Sequence, residues 1–253
     1  MPSDAPRDGQ GLRLEGLAIR AGAAPLDEAI LPGEIVGVAG LDGHGQETFL
    51  EVLAGLRRPA AGHVRASIGR GQESVTSFRQ AVRHGIAYLP RDRRLHGIFP
   101  ALSILDNFSM VSWRRDSRLG LIGRKIQRER YETWRRRLEI VAPDPRAPIT
   151  ALSGGNQQKV LLARWLALGP RILLLNDPTR GVDQRTREVL YAVFRDLARK
   201  EGLSLVILST EIEEVLRLCD RVLVFRDGQV SARLAGEAMT NDGVIAAMFG
   251  QAA

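Results

Sequence analysis

The stretch that decides the fold reads Leu152-Ser153-Gly154-Gly155-Asn156-Gln157-Gln158-Lys159. It opens a helical pattern from about Asn156 to Ala167, and an apolar strand from Arg171 to Leu175 follows that helix. Free backbone amides and the positive end of the helix dipole at Ser153 to Gly155 would point toward an anion. A helix cap alone does not require Gln157 and a strand at this spacing, so the stretch predicts an anion-binding site.

A second phosphate-binding pattern lies upstream. The sequence predicts a buried strand at Glu34 to Ala39, a loop that contains Gly40, Gly43 and Gly45, and a helix from Gln46 to Leu56. A strand, a glycine loop and a helix in this order form the phosphate-binding unit of a P-loop fold. Further strands are predicted at Gly85 to Leu89, Leu205 to Ser209, Arg221 to Phe225 and, after a turn, Gln229 to Leu234.

Composition narrows the class of protein. With 253 residues, of which 44% are hydrophobic, the chain can bury a core for one domain or two tightly joined lobes. No apolar run is long enough to span a bilayer, and the polar start Met1 to Asp8 lacks the apolar segment of a signal peptide. We therefore expect a soluble, cytosolic chain. The single cysteine, Cys219, lies in an apolar helical pattern, which predicts a buried side chain without redox or zinc chemistry.

The net charge of +7 is concentrated in a helical stretch between Asp106 and Val141, which is rich in arginine. A solvated helix face is the interpretation that we favour. A surface that faces an anionic membrane and a nucleic-acid surface are the alternatives. Because no recognised nucleic-acid motif accompanies the charge, we expect no nucleic-acid partner.

The motifs together resemble those of ATP-binding cassette (ABC) proteins: the glycine loop stands for Walker A, Ser153 to Gly155 for the signature, and Ile172 to Asp177 for Walker B. The resemblance implies an α/β fold with a P-loop (RecA-like) core, in which the sheet is mostly parallel, an antiparallel β part is added and a helical subdomain is inserted. The expected divisions are a polar tail (1–11), the ATP-binding core (12–91 and 160–253) and the helical and signature subdomain (92–159).

Three further stretches narrow the resemblance to the second, degenerate cassette of monosaccharide importer ATPases of the ribose, galactose and xylose group. They are Gly37-Val38-Ala39-Gly40, Tyr88-Leu89-Pro90-Arg91-Asp92-Arg93 and Pro178-Thr179-Arg180-Gly181-Val182-Asp183. In that family two cassettes are usually fused. This chain is one cassette, so the resemblance implies a second cassette, either on a separate chain or as a missing half. Gly43-His44-Gly45-Gln46 is also similar to nucleoside importers, which leaves the transported solute open.

The resemblance assigns nucleotide binding to the glycine loop and the start of its helix: Gly40, Gly43, Gly45, Gln46, Glu47 and Thr48. Gln46 takes the place of the phosphate-binding lysine, and Glu47 takes the place of the hydroxyl that holds Mg²⁺. Glutamine brings no positive charge, and Glu47 adds a negative one. Thr48 offers an alternative hydroxyl.

Walker B has also lost groups that bind Mg²⁺ and activate water. By the resemblance, Asn176 occupies the position of the aspartate that orients the metal. Asp177 occupies the position of the catalytic glutamate, with a side chain one methylene shorter, and is a weak candidate for the catalytic residue. Thr210 replaces the histidine that senses the γ-phosphate, and Arg91 replaces the glutamine of the Q-loop. We expect ATP as ligand, weakened Mg²⁺ binding with Thr48 and Asn176 as the candidate ligands, and impaired hydrolysis.

The signature is intact, in contrast. The resemblance implies that Ser153, Gly154, Gly155 and Gln157, with Asp183 of the D-loop, complete the ATP site of the second cassette. The other implied partners are a membrane permease and, indirectly, a solute-binding protein, with the chain on the cytoplasmic face of the cell membrane. The alternative is a soluble non-transport ABC protein or a regulatory nucleotide-binding module.

The segment from Arg93 to Phe108 lies where the family meets its permease. Helical spacing predicts that Ile104, Leu105 and Phe108 are core residues. Ile98 and Phe99 lie between Gly97 and Pro100 in a predicted loop, where exposed apolar side chains indicate a docking surface.

Overall fold

A computed structural model describes residues 11–68, 71–118 and 121–251. The tail expected at residues 1–11 lies outside this part of the chain, apart from Gly11. The strands are β1 (Leu12–Ala18), β2 (Leu26–Ile30), β3 (Ile35–Gly40), β4 (Ala61–Ile68), β5 (Gly71–Ser74), β6 (Ile86–Leu89), β7 (Ser117–Arg118), β8 (Leu121–Ile122), β9 (Ile172–Asn176), β10 (Ser204–Leu208), β11 (Arg221–Arg226) and β12 (Gln229–Ala235).

Helices alternate irregularly with these strands along the chain. They are α1 (Gln46–Leu53), α2 (Phe78–Arg83), α3 (Arg93–His96), α4 (Ile104–Ser109), α5 (Trp113–Asp116), α6 (Arg124–Arg137), α7 (Gly154–Leu166), α8 (Gln184–Glu201), α9 (Ile212–Leu218) and α10 (Asn241–Phe249). Short 3-10 turns cover Met110–Ser112, Ile149–Ala151 and Gly236–Ala238.

Six of the described strands form the central sheet, in the order β12-β11-β3-β10-β9-β6. All neighbours in it are parallel except β11 and β12, which form an antiparallel hairpin. A separate antiparallel sheet has the order β2-β1-β4-β5. The fold is therefore α/β with a mostly parallel core sheet and an antiparallel addition, which confirms the expected fold class.

Successive residues of the central strands enter two different cores, which explains why these strands are continuously apolar. In β9, Leu173 and Leu175 belong to the core that also contains residues of α4, α6, α7 and α8, whereas Leu174 belongs to the core that contains residues of α1 and the antiparallel sheet. In β10, Ile207 belongs to the first of these cores and Val206 to the second. A parallel strand covered on both faces needs no polar face.

A buried polar cluster around Arg164 joins α7 to α4 and to the loop that precedes α4. Its guanidinium donates to the carbonyls of Asn107 at 2.6 Å and Gly97 at 2.7 Å. Burial lowers the pKa of Arg164 to about 10, so it remains a cation at neutral pH. The fully buried Asn107 side chain donates to the carbonyls of Phe99, Leu102 and Ser103, and its Oδ1 accepts from the Phe99 amide. This cluster fixes the loop that carries Phe99.

Several boundaries differ from the sequence-based expectations. The signature helix begins at Gly154, and the helix after the glycine loop ends at Leu53. The stretch between Asp106 and Val141 is not helical throughout, because β7 and β8 form a short hairpin within it. Ile104, Leu105 and Phe108 are buried as predicted. No helix in the described part of the chain is long and apolar enough to cross a membrane.

The prediction that Ile98 is exposed is wrong. Its side chain is only 9% exposed and belongs to the core under the helical part, whereas Phe99 is 50% exposed. The backbone hydrogen bond from Ile98 to Arg93 turns the chain so that only the second of the two apolar residues faces outward.

We expect Asn107→Ala to lower the free energy of unfolding by about 2–4 kcal/mol, because it leaves several buried backbone groups without partners. Urea unfolding followed by circular dichroism measures this. Asn241→Ala on the exposed start of α10 is the control, and we expect it to change stability by less than about 0.5 kcal/mol. Equal midpoints for the Asn107 and Asn241 variants would show that the cluster is not structural.

Candidate functional site

The loop between β3 and α1 has the geometry of a tight phosphate-binding turn. Gly43 and Gly45 adopt positive φ angles of 80° and 100°. A Cβ on Gly45 would lie 2.8 Å from Ile19 Cδ1 and 2.9 Å from the Gly228 Cα. Only glycine fits at this position, because both the backbone angle and the close packing exclude a side chain. The loop is thus fixed between the two sheets.

Gln46 is turned back onto this loop. Its Nε2 donates to the carbonyls of Leu41 at 2.8 Å and Gly40 at 3.3 Å, and the side chain is only 6% exposed. The donors of the amide are therefore used within the loop. Thr48 lies half-buried in the first turn of α1. A cation that could neutralise phosphate charge must come from elsewhere.

Arg91, which follows β6, bridges the two acids of the site. Its Nη1 lies 2.9 Å from Glu47 Oε1, and its Nε lies 2.9 Å from Asp177 Oδ2. Asp177 is 4% exposed, whereas Arg91 and Glu47 are partly exposed. The pairing gives the buried carboxylate the charged partner that burial requires.

The second carboxylate oxygen of Asp177 is also occupied. Its Oδ1 accepts from the backbone amide of Thr210 at 2.7 Å and from the Thr210 hydroxyl at 3.2 Å. Asp177 has a positive φ of 47°, an uncommon conformation for a residue with a side chain. Both oxygens of Asp177 therefore have protein partners: Arg91 lies against one, and Thr210 donates to the other.

Asn176 is as buried as Asp177, at 4% exposed. Its Nδ2 donates to the hydroxyl of Tyr88 at 3.4 Å, while its Oδ1 has no hydrogen-bond partner among the described residues. Burial raises the pKa of Tyr88, and the bond from Asn176 opposes that shift. Asn176 therefore offers one neutral oxygen and no charge.

The signature residues lie at the start of α7. Ser153 caps the helix by accepting from the amide of Asn156, and Ser153 itself is exposed. Gln157 points back and donates to the carbonyls of Leu152 at 3.1 Å and Ile149 at 3.4 Å. Gln157 therefore shapes the turn, in which Ser153 is exposed, Gly154 is partly exposed and Gly155 is buried.

The D-loop packs directly beside the signature. Asp183 caps α8 by accepting hydrogen bonds from the backbone amide of Thr186 at 2.9 Å and from the Thr186 hydroxyl at 2.8 Å. The hydrogen bond from the backbone amide lowers the pKa of Asp183. A Cβ on Gly155 would lie 3.0 Å from Thr186 Oγ1. Gly155 is therefore required for the close approach of α7 to α8, in addition to any role toward an anion.

Sequence reasoning missed Arg93, which joins the signature to the D-loop. Its Nη1 donates to the carbonyl of Arg180 at 3.1 Å, and its Nη2 lies 2.5 Å from the position of a Cβ on Gly154. Arg91 and Arg93 thus reach two different groups of motif residues from one short segment. The quoted Arg-Asp-Arg sequence was the only available signal.

Magnesium is the metal that the family implies, and the residues present do not fit it. Mg²⁺ prefers free oxygen ligands with negative charge in octahedral geometry. Here both carboxylates are paired with Arg91, and Asn176 is neutral. The described residues also contain no group of three or more His, Cys, Asp or Glu side chains that could hold a metal ion.

Comparisons with known proteins agree with this fold. The family model described as "ABC transporter" matches residues 24–180, more than half of the chain. Ribose import ATP-binding protein RbsA 1 of Rhizobium johnstonii is 40% identical over 86% of this chain and 42% of its own length. Arabinose import ATP-binding protein AraG 2 of Burkholderia ambifaria is 37% identical over 92% of this chain and 45% of its own length. The chain spans less than half of each of these relatives.

Solved structures share the fold. A dimeric ATP-binding cassette in a post-hydrolysis state bound to ADP and Pi has a TM-score of 0.75 and 23% identity, with 88% of this chain and 98% of that chain covered. A nucleotide-free ATP-binding cassette from an ABC transporter has a TM-score of 0.77 and 17% identity, with 93% and 95% covered. From the glycine loop, the signature turn and the matched family model together, this chain belongs to the ABC transporter family.

Proposed function

We propose that this chain is an ATP-binding half of an importer for a monosaccharide or a related small solute. It would bind ATP in the glycine loop, complete the ATP site of a second cassette with its signature, and contact a membrane permease from the cytoplasmic side. The observation that carries the proposal is the contrast between the two sites. The chain's own nucleotide site is ion-paired internally through Arg91, whereas the signature turn keeps its sequence and exposes Ser153.

The names of the relatives support import of a sugar, since they are named as ribose and arabinose import proteins. Their greater length supports a second cassette, because each has room for a unit of similar size beyond the matched part. The solute would be selected by the permease and the solute-binding protein. A nucleoside therefore stays as the alternative solute.

Impaired hydrolysis follows from the charges around the proposed nucleotide. Phosphoryl transfer is accelerated mainly by positive groups placed against the developing negative charge. In this site Gln46 is neutral, Glu47 is negative, and both oxygens of Asp177 are held by Arg91 and Thr210. The chain would thus bind nucleotide without efficient turnover.

The permease contact is proposed at the loop of Phe99. Phe99 and Leu95 are large, exposed apolar residues, at 50% and 76% exposure, on the segment that links Arg93 to α4. Next to this segment a mainly apolar cavity of about 350 Å³ is lined by Phe78, Tyr88, Leu161 and Trp165, among others. Exposed apolar groups on a loop fixed by a buried polar cluster are typical of a docking surface.

We expect the purified chain to hydrolyse ATP at least about a hundredfold more slowly than a competent cassette, because the charges that stabilise phosphoryl transfer are missing. A phosphate-release assay with and without Mg²⁺ measures the rate. Asp177→Asn should leave the residual rate unchanged. Fast turnover that Asp177→Asn abolishes would show that Asp177 is a working catalytic residue.

We expect Ser153→Arg to reduce ATP hydrolysis by the complex with the second cassette by about a hundredfold or more, because the arginine would obstruct the turn that faces the partner's phosphate. Ser77→Arg is a matched control, since Ser77 is also an exposed helix cap but lies at the start of α2. The steady-state rate of the reconstituted complex is the measurement. Equal rates for the two variants would argue against a role of the signature in trans.

We expect Phe99→Asp to weaken assembly with the permease at least about tenfold, because a carboxylate would be buried against an apolar partner surface. The melting temperature of the isolated chain should stay unchanged, since Phe99 is half-exposed. Co-purification with the permease and thermal unfolding are the two measurements, and Val141→Asp is the control at another exposed apolar position. A large fall in melting temperature without a specific loss of assembly would assign Phe99 to the core.

A further inference from the structure

Glu47, Arg91 and Asp177 form an ion-paired group. It lies at the two chain segments that would supply magnesium ligands in a competent cassette. Glu47 belongs to the first turn of α1, at the position of the family's metal-binding hydroxyl, and Asp177 directly follows β9. The guanidinium of Arg91 contacts both carboxylates at 2.9 Å. A positive charge is therefore already fixed between the acids.

The backbone holds Arg91 at this place. In the parallel pair of β6 and β9, Leu89 is opposite Leu175. Leu89 and Leu175 are the last pair of this ladder, and Arg91 and Asp177 each follow two residues later, after β6 and β9 have ended. The neighbouring strand ends therefore bring the two residues close together, and the ion pair joins their side chains. Arginine is the suitable residue, because its planar fork bridges two carboxylates and it does not lose its proton.

A divalent cation would be disfavoured here for two reasons. It would have to displace the guanidinium from the buried Asp177, or else share the acids with it at short distance. The first breaks the ion pair between Arg91 and the buried Asp177, and the second brings like charges together. Asn176 cannot compensate, since its free Oδ1 is neutral.

We infer that Arg91 takes the place of the divalent cation, so that nucleotide binding to this cassette does not depend on Mg²⁺. This inference rests on the proposed function, because it assumes that nucleotide binds in the glycine loop. It adds a specific property to that site. The positive charge that a competent cassette takes up with each MgATP is built into this chain as a side chain.

The test is the affinity for mant-ATP, measured by fluorescence titration of the full chain in Mg²⁺ and in EDTA. For the wild-type chain we expect the two dissociation constants to agree within about twofold. Arg91→Gln removes the charge but retains a hydrogen-bond donor for Asp177. In that variant we expect Mg²⁺ to tighten binding roughly tenfold or more, because the two carboxylates become available to the metal.

Two controls separate charge from structure. Arg91→Lys retains the positive charge without the planar fork, and we expect Mg²⁺ to tighten its nucleotide binding less than that of Arg91→Gln. Arg94→Ala removes an exposed arginine of the same segment and should behave like the wild type. Circular dichroism and thermal unfolding check that each variant folds. Electron paramagnetic resonance of Mn²⁺ with the wild-type chain and ADP gives an independent measure of metal binding, and we expect no protein-dependent loss of the free Mn²⁺ signal.

The inference is overturned if Mg²⁺ tightens wild-type binding by about tenfold, if a folded Arg91→Gln chain stays metal-independent, or if the wild-type chain binds Mn²⁺ stoichiometrically. If Arg91→Gln does not fold, the wild-type titrations and the Mn²⁺ experiment decide the question. Metal-dependent binding would contradict this inference and leave the proposed function intact. Absence of mant-ATP binding in both buffers would contradict the proposed function itself, and the inference with it.

Discussion

The ion pair between Arg91 and Asp177 is the interaction on which the character of the site depends. It gives a buried carboxylate its charged partner, and it joins the end of β9 to the segment after β6. The same guanidinium extends to Glu47 at the start of α1. One side chain therefore neutralises negative charge from two elements that, in a competent site, would face a nucleotide and its metal. Both carboxylates are therefore engaged by a protein cation.

The segment that carries Arg91 also reaches the opposite group of motifs. Arg93 donates to the D-loop carbonyl of Arg180 and packs beside Gly154. A few residues later, the carbonyl of Gly97 accepts from Arg164 of the signature helix. The segment from Arg91 to Gly97 thus contacts the carboxylates of Glu47 and Asp177, the D-loop and α7. Under the proposed function, this segment would connect the chain's own nucleotide site, the signature turn and the exposed Phe99.

The sequence was sufficient for the features that depend on local pattern. Continuous apolar runs ended by glycine predicted the parallel strands, and the glycines themselves predicted the tight loop at Gly43 and Gly45. The pairing of Arg91 with Asp177 was not predicted, because it depends on the register of two strands that are distant in the chain. The exposure of Ile98 was predicted wrongly for a similar reason, since α7 and the neighbouring helices cover it. Local sequence specifies the elements, and long-range packing decides which side chains meet.

We propose that the signature of this cassette completes the ATP site of a second cassette, while its own site does not turn over ATP. Vanadate trapping tests it most directly, because vanadate retains nucleotide only at a site that has hydrolysed it. The assembled complex would be photolabelled with azido-ATP in the presence of vanadate, and the two cassettes would be separated. We predict trapped label on the second cassette and none above background on this chain. Trapped label on this chain, at a level similar to that on the second cassette, would contradict it.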